Sequence, residues 1–356
     1  MIPLLSRLKN VFVKKENTGF KGGLNLLDVY PLKFCNIIDE ISSDGIPETF
    51  QFRVPDQKVA HIIVNLCPTE PWALPNWVIL KHKTPAFLNM LKEIKTSYFP
   101  DARFSLAINE KEDRVVEDIK SFASNEDWIQ VFPLYAKYPQ DDPVLLMKSI
   151  LGMDVHFGQD TKSLGVLILD AQTVLAIYES CIQRRNVNSR FIVVSGTCLK
   201  ENEIINVQLG TSLEKIMKDR VKAMSKYRVF INGPLRGQEI TDLSQKIDWS
   251  VNHIVVLEEI NRKVMFPMIK SDELVLTTNL LGELRRCVYC NFCDGICPVD
   301  LEPALYYHSY MRGEKHKARL YNLGKCIECG LCSFICPSKL ELLQIIKECK
   351  ALDKQK

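Results

Sequence analysis

Apolar and polar stretches alternate regularly along the first half of the chain. Continuous apolar runs, typical of buried strands, occupy residues 61–67, 103–109, 128–135 and 163–170. Stretches with apolar side chains at helical spacing occupy residues 87–94, 114–123, 144–152 and 171–183. Because strands that alternate with helices form parallel sheets with crossover helices, the pattern predicts a three-layer, Rossmann-like α/β domain over residues 26–189.

The pattern changes after residue 190. Strand-like runs follow one another more closely, with one helix beginning near Thr211, and they occupy residues 190–196, 203–210, 227–233 and 253–259. This predicts a small α+β domain over residues 190–265. From about residue 280 onward, short loops and helices surround a group of cysteines. We therefore expect a third, mainly α-helical domain over residues 266–356.

The N-terminal segment, residues 1–25, allows two interpretations. Its apolar side chains fall at helical spacing with basic residues among and after them, and they are Leu4, Leu5, Leu8, Val11 and Phe12. Such a segment is typical of an amphipathic helix that rests on a membrane or a partner. The favoured interpretation is an ordinary surface helix that packs on its own domain.

Eight of the 13 cysteines form two copies of the pattern C-x2-C-x2-C-x3-C-P. The first copy is Cys287, Cys290, Cys293 and Cys297, and the second is Cys326, Cys329, Cys332 and Cys336. Three thiolates at three-residue intervals can wrap one corner of a cubane cluster on a tight turn, and the proline after the fourth cysteine ends that turn. The spacing therefore predicts two [4Fe–4S] clusters.

The fourth cysteine of each run belongs to the other cluster in two-cluster ferredoxins. On that precedent one cluster has the ligands Cys287, Cys290, Cys293 and Cys336, and the other has Cys326, Cys329, Cys332 and Cys297. The alternative is a pair of zinc sites, which normally join two separated C-x2-C pairs instead. The iron–sulfur interpretation makes the C-terminal part of the chain a carrier of single electrons.

Composition narrows the class of protein. The chain has 46% hydrophobic and 25% charged residues and a net charge of +3, with no dense basic run, so we expect no nucleic-acid partner. No apolar stretch is long enough to span a bilayer, and the first residues lack a signal peptide. Cysteine-rich loops in an unexported chain indicate metal ligation in a reducing compartment.

The cysteine segment, residues 287–342, closely resembles the C subunit of Rnf electron-transport complexes. Further likeness lies upstream, in the stretches 20–23, 137–140, 163–180, 190–217 and 231–237. That family is related to the flavoprotein subunit of respiratory complex I and to cobalamin reductase. The resemblance implies an FMN- and NADH-binding α/β domain, a small ubiquitin-like (SLBB) domain over residues 190–265 and a ferredoxin-like domain with two [4Fe–4S] clusters.

The chain departs from the family at each of the three turns that form the flavin pocket. No glycine-rich phosphate loop precedes residues 61–67. The second turn keeps only Asn65, Glu70 and Pro71 of the family pattern, and the third has Asp141 and Asp142 in place of glycines. Because two carboxylates repel a phosphate and fill the space of a ring system, we expect that the FMN and NADH site is lost. For Glu70, a capping or salt-bridge role and a functional role both stay open.

These observations predict an electron-transfer subunit of a membrane-associated, Rnf-like oxidoreductase, located in the cytoplasm on the inner face of the cell membrane. The expected partners are membrane subunits of the complex. A basic face formed by Lys315, Lys317, Arg319 and Lys325 suggests ferredoxin or flavodoxin as a further partner, although an ordinary solvated face is an equal interpretation. The alternatives are a soluble cobalamin-reductase-like flavoprotein and a cluster-stabilised scaffold without turnover.

Overall fold

A computed structural model describes residues 24–25, 34–67, 70–73, 84–109, 113–155, 159–222, 226–259 and 285–354. The predicted helix near the N-terminus lies outside these ranges. The strands, in chain order, are β1 (Leu24–Asn25), β2 (Phe34–Ile41), β3 (His61–Asn65), β4 (Arg103–Asn109), β5 (Ile129–Leu134), β6 (Lys137–Tyr138), β7 (Val166–Asp170), β8 (Ser189–Ser195), β9 (Asn202–Gln208), β10 (Tyr227–Ile231), β11 (Gln238–Ile240) and β12 (His253–Glu258).

The α-helices are short apart from the first and the last. They are α1 (Thr84–Tyr98), α2 (Asp113–Ala123), α3 (Pro143–Leu151), α4 (Ala171–Ile177), α5 (Leu213–Met217), α6 (Phe292–Ile296), α7 (Pro303–Met311), α8 (Leu331–Ile335) and α9 (Leu342–Lys354). A π-helical turn, Tyr178–Ile182, extends α4, and 3-10 turns occupy Thr161–Leu164, Lys315–Tyr321 and Leu323–Lys325. Within the described residues, no helix combines the length and the apolar character that crossing a membrane requires.

A four-stranded parallel sheet forms the centre of the first half of the chain, in the order β5-β4-β3-β7. Side chains from one face of β3 and β4 pack against α1, α2 and α4, whereas Ile63 and Ala107 on the other face pack against Leu146 and Met147 of α3. β5 contains Pro133, which is tolerated because β5 lies at an edge of the sheet. The predicted α/β class with a parallel sheet is confirmed.

The second sheet is mixed and has six strands in the order β11-β10-β12-β8-β9-β2. Its neighbours β8 and β12 are parallel, as are β2 and β9, while the other pairs are antiparallel. α5 packs on this sheet through Leu213, Ile216 and Met217. The helix begins slightly later than the sequence suggests, because the Ser212 side chain accepts the Lys215 N–H and forms the N-cap.

The strand β2 lies within residues 26–189, which the sequence assigns to the first domain, yet it pairs with β9 of the second sheet. Two polar contacts extend this attachment past the strand. The Ser43 N–H donates to the Gln208 side chain at 2.9 Å, and the Ser212 N–H donates to Asp44 at 2.8 Å. The chain therefore crosses to the second sheet before it returns to begin the parallel sheet at β3.

The C-terminal part is helical, as predicted, and its core includes cysteines. Leu301, Tyr306, Leu323 and Ile346 pack with Cys293, Cys297, Cys332 and Cys336 in one buried cluster. The Tyr306 O–H donates to the Tyr321 carbonyl at 2.5 Å and joins α7 to the following 3-10 turn. Thus the cysteine side chains form part of the interior that holds α6–α9 together.

Candidate metal centres

The two cysteine runs fold into loops of matching backbone conformation. In the first loop Tyr289 and Asn291 have left-handed φ angles of 52° and 57°, and α6 follows. In the second loop the equivalent residues Glu328 and Gly330 have φ angles of 57° and 80°, and α8 follows. L-residues seldom adopt this region. Left-handed residues at equivalent positions therefore show that the two loops share one backbone conformation. In each loop the chain curls so that three cysteines line one cavity.

Each loop lines a separate cavity, and each cavity receives a fourth cysteine from the other run. The first cavity is lined by Cys287, Cys290, Cys293 and Cys336. The second is lined by Cys297, Cys326, Cys329 and Cys332. Among the described residues, no three His, Cys, Asp or Glu side chains converge closely enough to share a single metal ion. The eight thiols are instead spread around two separate cavities of similar size.

The lining of both cavities suits thiolate-ligated clusters. Four sulfur donors face each cavity, and apolar side chains such as Leu340 and Leu343 complete the walls. Backbone N–H groups point at several of the sulfurs, for example from Leu301 to Cys297 at 3.3 Å and from Glu328 to Cys326 at 3.4 Å. These donors stabilise negative charge on sulfur. The residues present therefore fit the group that the spacing predicts.

Burial raises the pKa of the buried thiols, so these stay protonated when nothing is bound to them. Desolvation raises the pKa of Cys293 to about 12 and that of Cys326 to about 11. A coordinating metal deprotonates a thiol outright. These buried cysteines are therefore poor free nucleophiles at neutral pH when no metal is bound.

The two cavities differ in their exposure to solvent. Cys290 is exposed, and so are the neighbouring side chains of Val288 and Tyr289, which are 63% and 66% accessible. At the equivalent position of the second run, Cys329 is buried in an apolar cluster with Tyr138 and Leu235. The first cavity therefore faces solvent in the described part of the chain, whereas the second packs against Tyr138 of β6 and Leu235 of the turn between β10 and β11.

A buried carboxylate joins the second cavity to both sheets. Glu70 follows β3, is fully buried, and accepts the N–H groups of Leu235 at 3.3 Å and Arg236 at 3.0 Å. A Cβ atom at residue 233 would collide with the Glu70 carboxyl, so this turn requires a glycine. The Tyr138 hydroxyl lies 3.1 Å from Glu70 and 2.5 Å from the Cys329 carbonyl oxygen. The sequence leaves two roles open for Glu70. Its contacts with backbone N–H groups and with Arg236 favour the capping or salt-bridge role.

Asp141 and Asp142 are buried beside this carboxylate, and one arginine contacts all three acids. The Arg236 guanidinium donates to Asp141 and lies 3.7 Å from Glu70 and 3.9 Å from Asp142. Burial raises the pKa of Glu70 to about 8 and that of Asp142 to about 6, although Arg236 opposes both shifts. Burial also raises the pKa of Tyr138, so its hydroxyl keeps its proton. Asp141 and Asp142 of the third turn thus both contact Arg236, which lies in the turn between β10 and β11 of the second sheet.

The sequence does not single out Arg236 as a site residue. Its partners Glu70 and Asp141 are distant along the chain, and nothing in the local pattern of residues 231–237 links it to them. The one local signal is a basic residue inside an apolar turn. Pro68 and Thr69 of the second turn lie outside the described residues.

The basic face beside the cysteine loops is partly compensated by acids. Lys317 lies 2.7 Å from Glu314, and Lys315 lies 3.8 Å from Glu348 and stacks over the Tyr310 ring. The side chain of Arg319 lies outside the described residues. These contacts favour the interpretation of a solvated, paired surface over that of a strongly cationic docking face.

Comparison with known proteins agrees with this geometry. Residues 283–340 match the family of the 4Fe-4S dicluster domain. The C-terminal part of the chain is therefore a dicluster domain, and the prediction of two [4Fe–4S] clusters is confirmed.

Over most of its length the chain is similar to the C subunits of ion-translocating oxidoreductase complexes. It is 24% identical over 272 residues to that of Haemophilus influenzae (strain PittEE), and the match covers 76% of this chain and 39% of that protein. It is 25% identical over 253 residues to the C subunit of the Na(+)-translocating ferredoxin:NAD(+) oxidoreductase complex of Acetobacterium woodii, with 70% and 52% covered. The predicted resemblance to the Rnf C subunit is confirmed, and the chain spans about half or less of the length of these relatives.

Among solved structures, the chain matches a chain of an NAD+-reducing [NiFe]-hydrogenase in the air-oxidized state. The TM-score is 0.45 at 12% sequence identity, and the match covers 57% of this chain and 41% of the other. This likeness is too weak to assign a role to any residue.

Proposed function

We propose that the chain is an electron-transfer subunit of a membrane-associated, Rnf-like oxidoreductase, with two [4Fe–4S] clusters as its redox centres. The observation that carries this proposal is the pair of four-cysteine cavities within a dicluster domain. Similarity to the C subunits of such complexes over about three quarters of the chain supports the same role. When bound, such clusters supply one-electron redox chemistry.

The ligand sets proposed are Cys287, Cys290, Cys293 and Cys336 for the outer cluster, and Cys326, Cys329, Cys332 and Cys297 for the inner cluster. The grouping of the same residues around two cavities supports this assignment. In this arrangement the apolar walls exclude water, and the backbone N–H groups of Leu301 and Glu328 stabilise the charge on sulfur. The exposed outer loop gives electrons a short route to a partner.

We further propose that the flavin and NADH site of the family is lost. In support, Asp141 and Asp142 are buried and in contact with Arg236, so side chains of the chain itself fill the region of the third turn. The electrons of both clusters then come from a partner. The division into 1–25, 26–189, 190–265 and 266–356, with an SLBB-like second domain, stays part of the proposal, with β2 added to the second sheet.

The proposed location is the inner face of the cell membrane, attached through membrane subunits, with ferredoxin or flavodoxin as a further candidate partner. An anaerobic pull-down of the tagged full chain from mild-detergent extracts tests this. We expect hydrophobic proteins of the complex to co-purify, and alkaline carbonate to release the chain from washed membranes. Recovery of the chain alone, with no membrane-bound fraction, would contradict the proposal.

A further inference from the structure

One side chain from the parallel-sheet half reaches the backbone of the inner ligand loop. Tyr138 of β6 is fully buried, and its hydroxyl lies 2.5 Å from the Cys329 carbonyl oxygen. A carbonyl oxygen can only accept a hydrogen bond, so the phenolic O–H is the donor at this contact. Since the Glu70 oxygen is farther away, at 3.1 Å, the single phenolic proton points to the Cys329 carbonyl.

The orientation of Tyr138 is fixed from several sides. Glu70 borders its hydroxyl and is itself held by the N–H groups of Leu235 and Arg236. The Arg236 guanidinium lies over the Tyr138 ring, 5.6 Å from its centroid. Because these contacts come from different parts of the fold, the phenol cannot rotate away without breaking them. The O–H is preorganised toward the inner loop.

The receiving carbonyl lies in the tightest part of the inner ligand loop, between its two left-handed residues. Cys329 lies between Glu328 and Gly330, both in the left-handed region. A hydrogen bond to the carbonyl between them holds this curl in place. At the equivalent position of the outer loop, Cys290 is exposed to solvent. The two loops therefore differ in their surroundings, because the Tyr138 hydroxyl contacts Cys329 whereas Cys290 is exposed to solvent.

We propose that Tyr138 is a positioning residue for the inner ligand loop and that its O–H raises the reduction potential of the cluster held there. The inference rests on the proposed function, because it takes Cys329 as a ligand. Reduction adds one electron to the cluster, and the positive end of a fixed O–H dipole at the ligand backbone stabilises that added charge. Hydrogen bonds around the ligands are among the factors that set cluster potentials.

Potentiometric titration of the anaerobic full chain, followed by EPR, tests the proposal with the variant Tyr138→Phe. We expect one of the two reduction midpoints to move to lower potential and the other to stay. At the wild-type midpoint, the ratio of reduced to oxidised inner cluster falls about tenfold, which corresponds to about 59 mV for a one-electron couple. Two unchanged midpoints in a variant that retains its iron would overturn the inference.

The matched control is Tyr98→Phe. The Tyr98 hydroxyl donates to the carbonyl oxygen of Cys181 at 3.1 Å, and Cys181 is not a proposed ligand. We expect both midpoints to stay at their wild-type values in this variant. A shift as large as that of Tyr138→Phe would show that the effect is general and would overturn the inference.

Replacement of Tyr138 by 3-fluorotyrosine covers the case in which Tyr138→Phe does not fold. The fluorinated phenol keeps the ring shape and is a stronger donor, so we expect the inner midpoint to rise. A fall or no change would overturn the inference. Iron analysis of the wild-type chain separates the two levels: absence of clusters there refutes the proposed function, whereas two clusters with an insensitive midpoint refute only the role of Tyr138.

Discussion

At the scale of single residues, the cysteines and the buried acids differ in how well they can be predicted. The proposed cysteine ligands follow from sequence because a cubane cluster needs several thiolates on one tight loop, which leaves a local pattern. Glu70 can be recognised in the sequence because it keeps the family pattern of the second turn, and Asp141 because it replaces a glycine of the third turn. Their partner Arg236 cannot, because its contacts depend on how the second sheet packs against the first.

The prediction at this scale concerns the loss of stability when Arg236 is replaced. In Arg236→Gln, the buried Glu70 and Asp141 lose the cation that contacts both, so we expect the free energy of unfolding to fall by about 3 kcal/mol. The comparison is Lys58→Gln, which breaks an exposed ion pair with Asp101 and should cost about 1 kcal/mol or less. Urea unfolding of the anaerobic proteins, followed by circular dichroism, measures both. Equal losses would contradict the account of the buried junction.

At the scale of secondary-structure elements, the alternation of apolar runs and helical patterns is enough to predict the parallel sheet. It is not enough for β2, whose place is decided by pairing with β9 far along the chain. The start of α5 lies slightly after the predicted start near Thr211, because the Ser212 side chain forms the N-cap. Elements defined by their own pattern are thus predictable, and those defined by a distant partner are not.

The prediction at this scale concerns the exchange of the fourth cysteine between the two runs. Cys336 follows α8 in the second run but lines the cavity of the first loop. We expect Cys336→Ser to change the EPR signal of the outer cluster and to leave the inner signal intact. The control Cys349→Ser, at a buried cysteine of α9 outside both proposed ligand sets, should change neither. Loss of the inner signal alone in Cys336→Ser would show that each run binds its own cluster.

At the scale of the whole molecule, the outer cavity faces solvent in the described part of the chain, while the inner one packs against Tyr138 of β6 and the turn between β10 and β11. The resemblance to the Rnf C subunit is visible in the sequence because the dicluster segment is long and specific. The contacts of Arg236 beside the third turn are not visible in the sequence, which shows only Asp141 and Asp142 in place of glycines. Under the proposal that the flavin site is lost, the two clusters are the redox centres of the chain itself, and their electrons come from a partner.

The content of iron, acid-labile sulfide, zinc and flavin in the anaerobically purified full chain tests that central claim most directly. With one four-iron cluster at each set of four cysteines, we expect about eight iron atoms per chain, a matching amount of sulfide, and no FMN released on denaturation. Stoichiometric FMN would contradict the loss of the flavin site. Two zinc atoms without sulfide would contradict the iron–sulfur account itself.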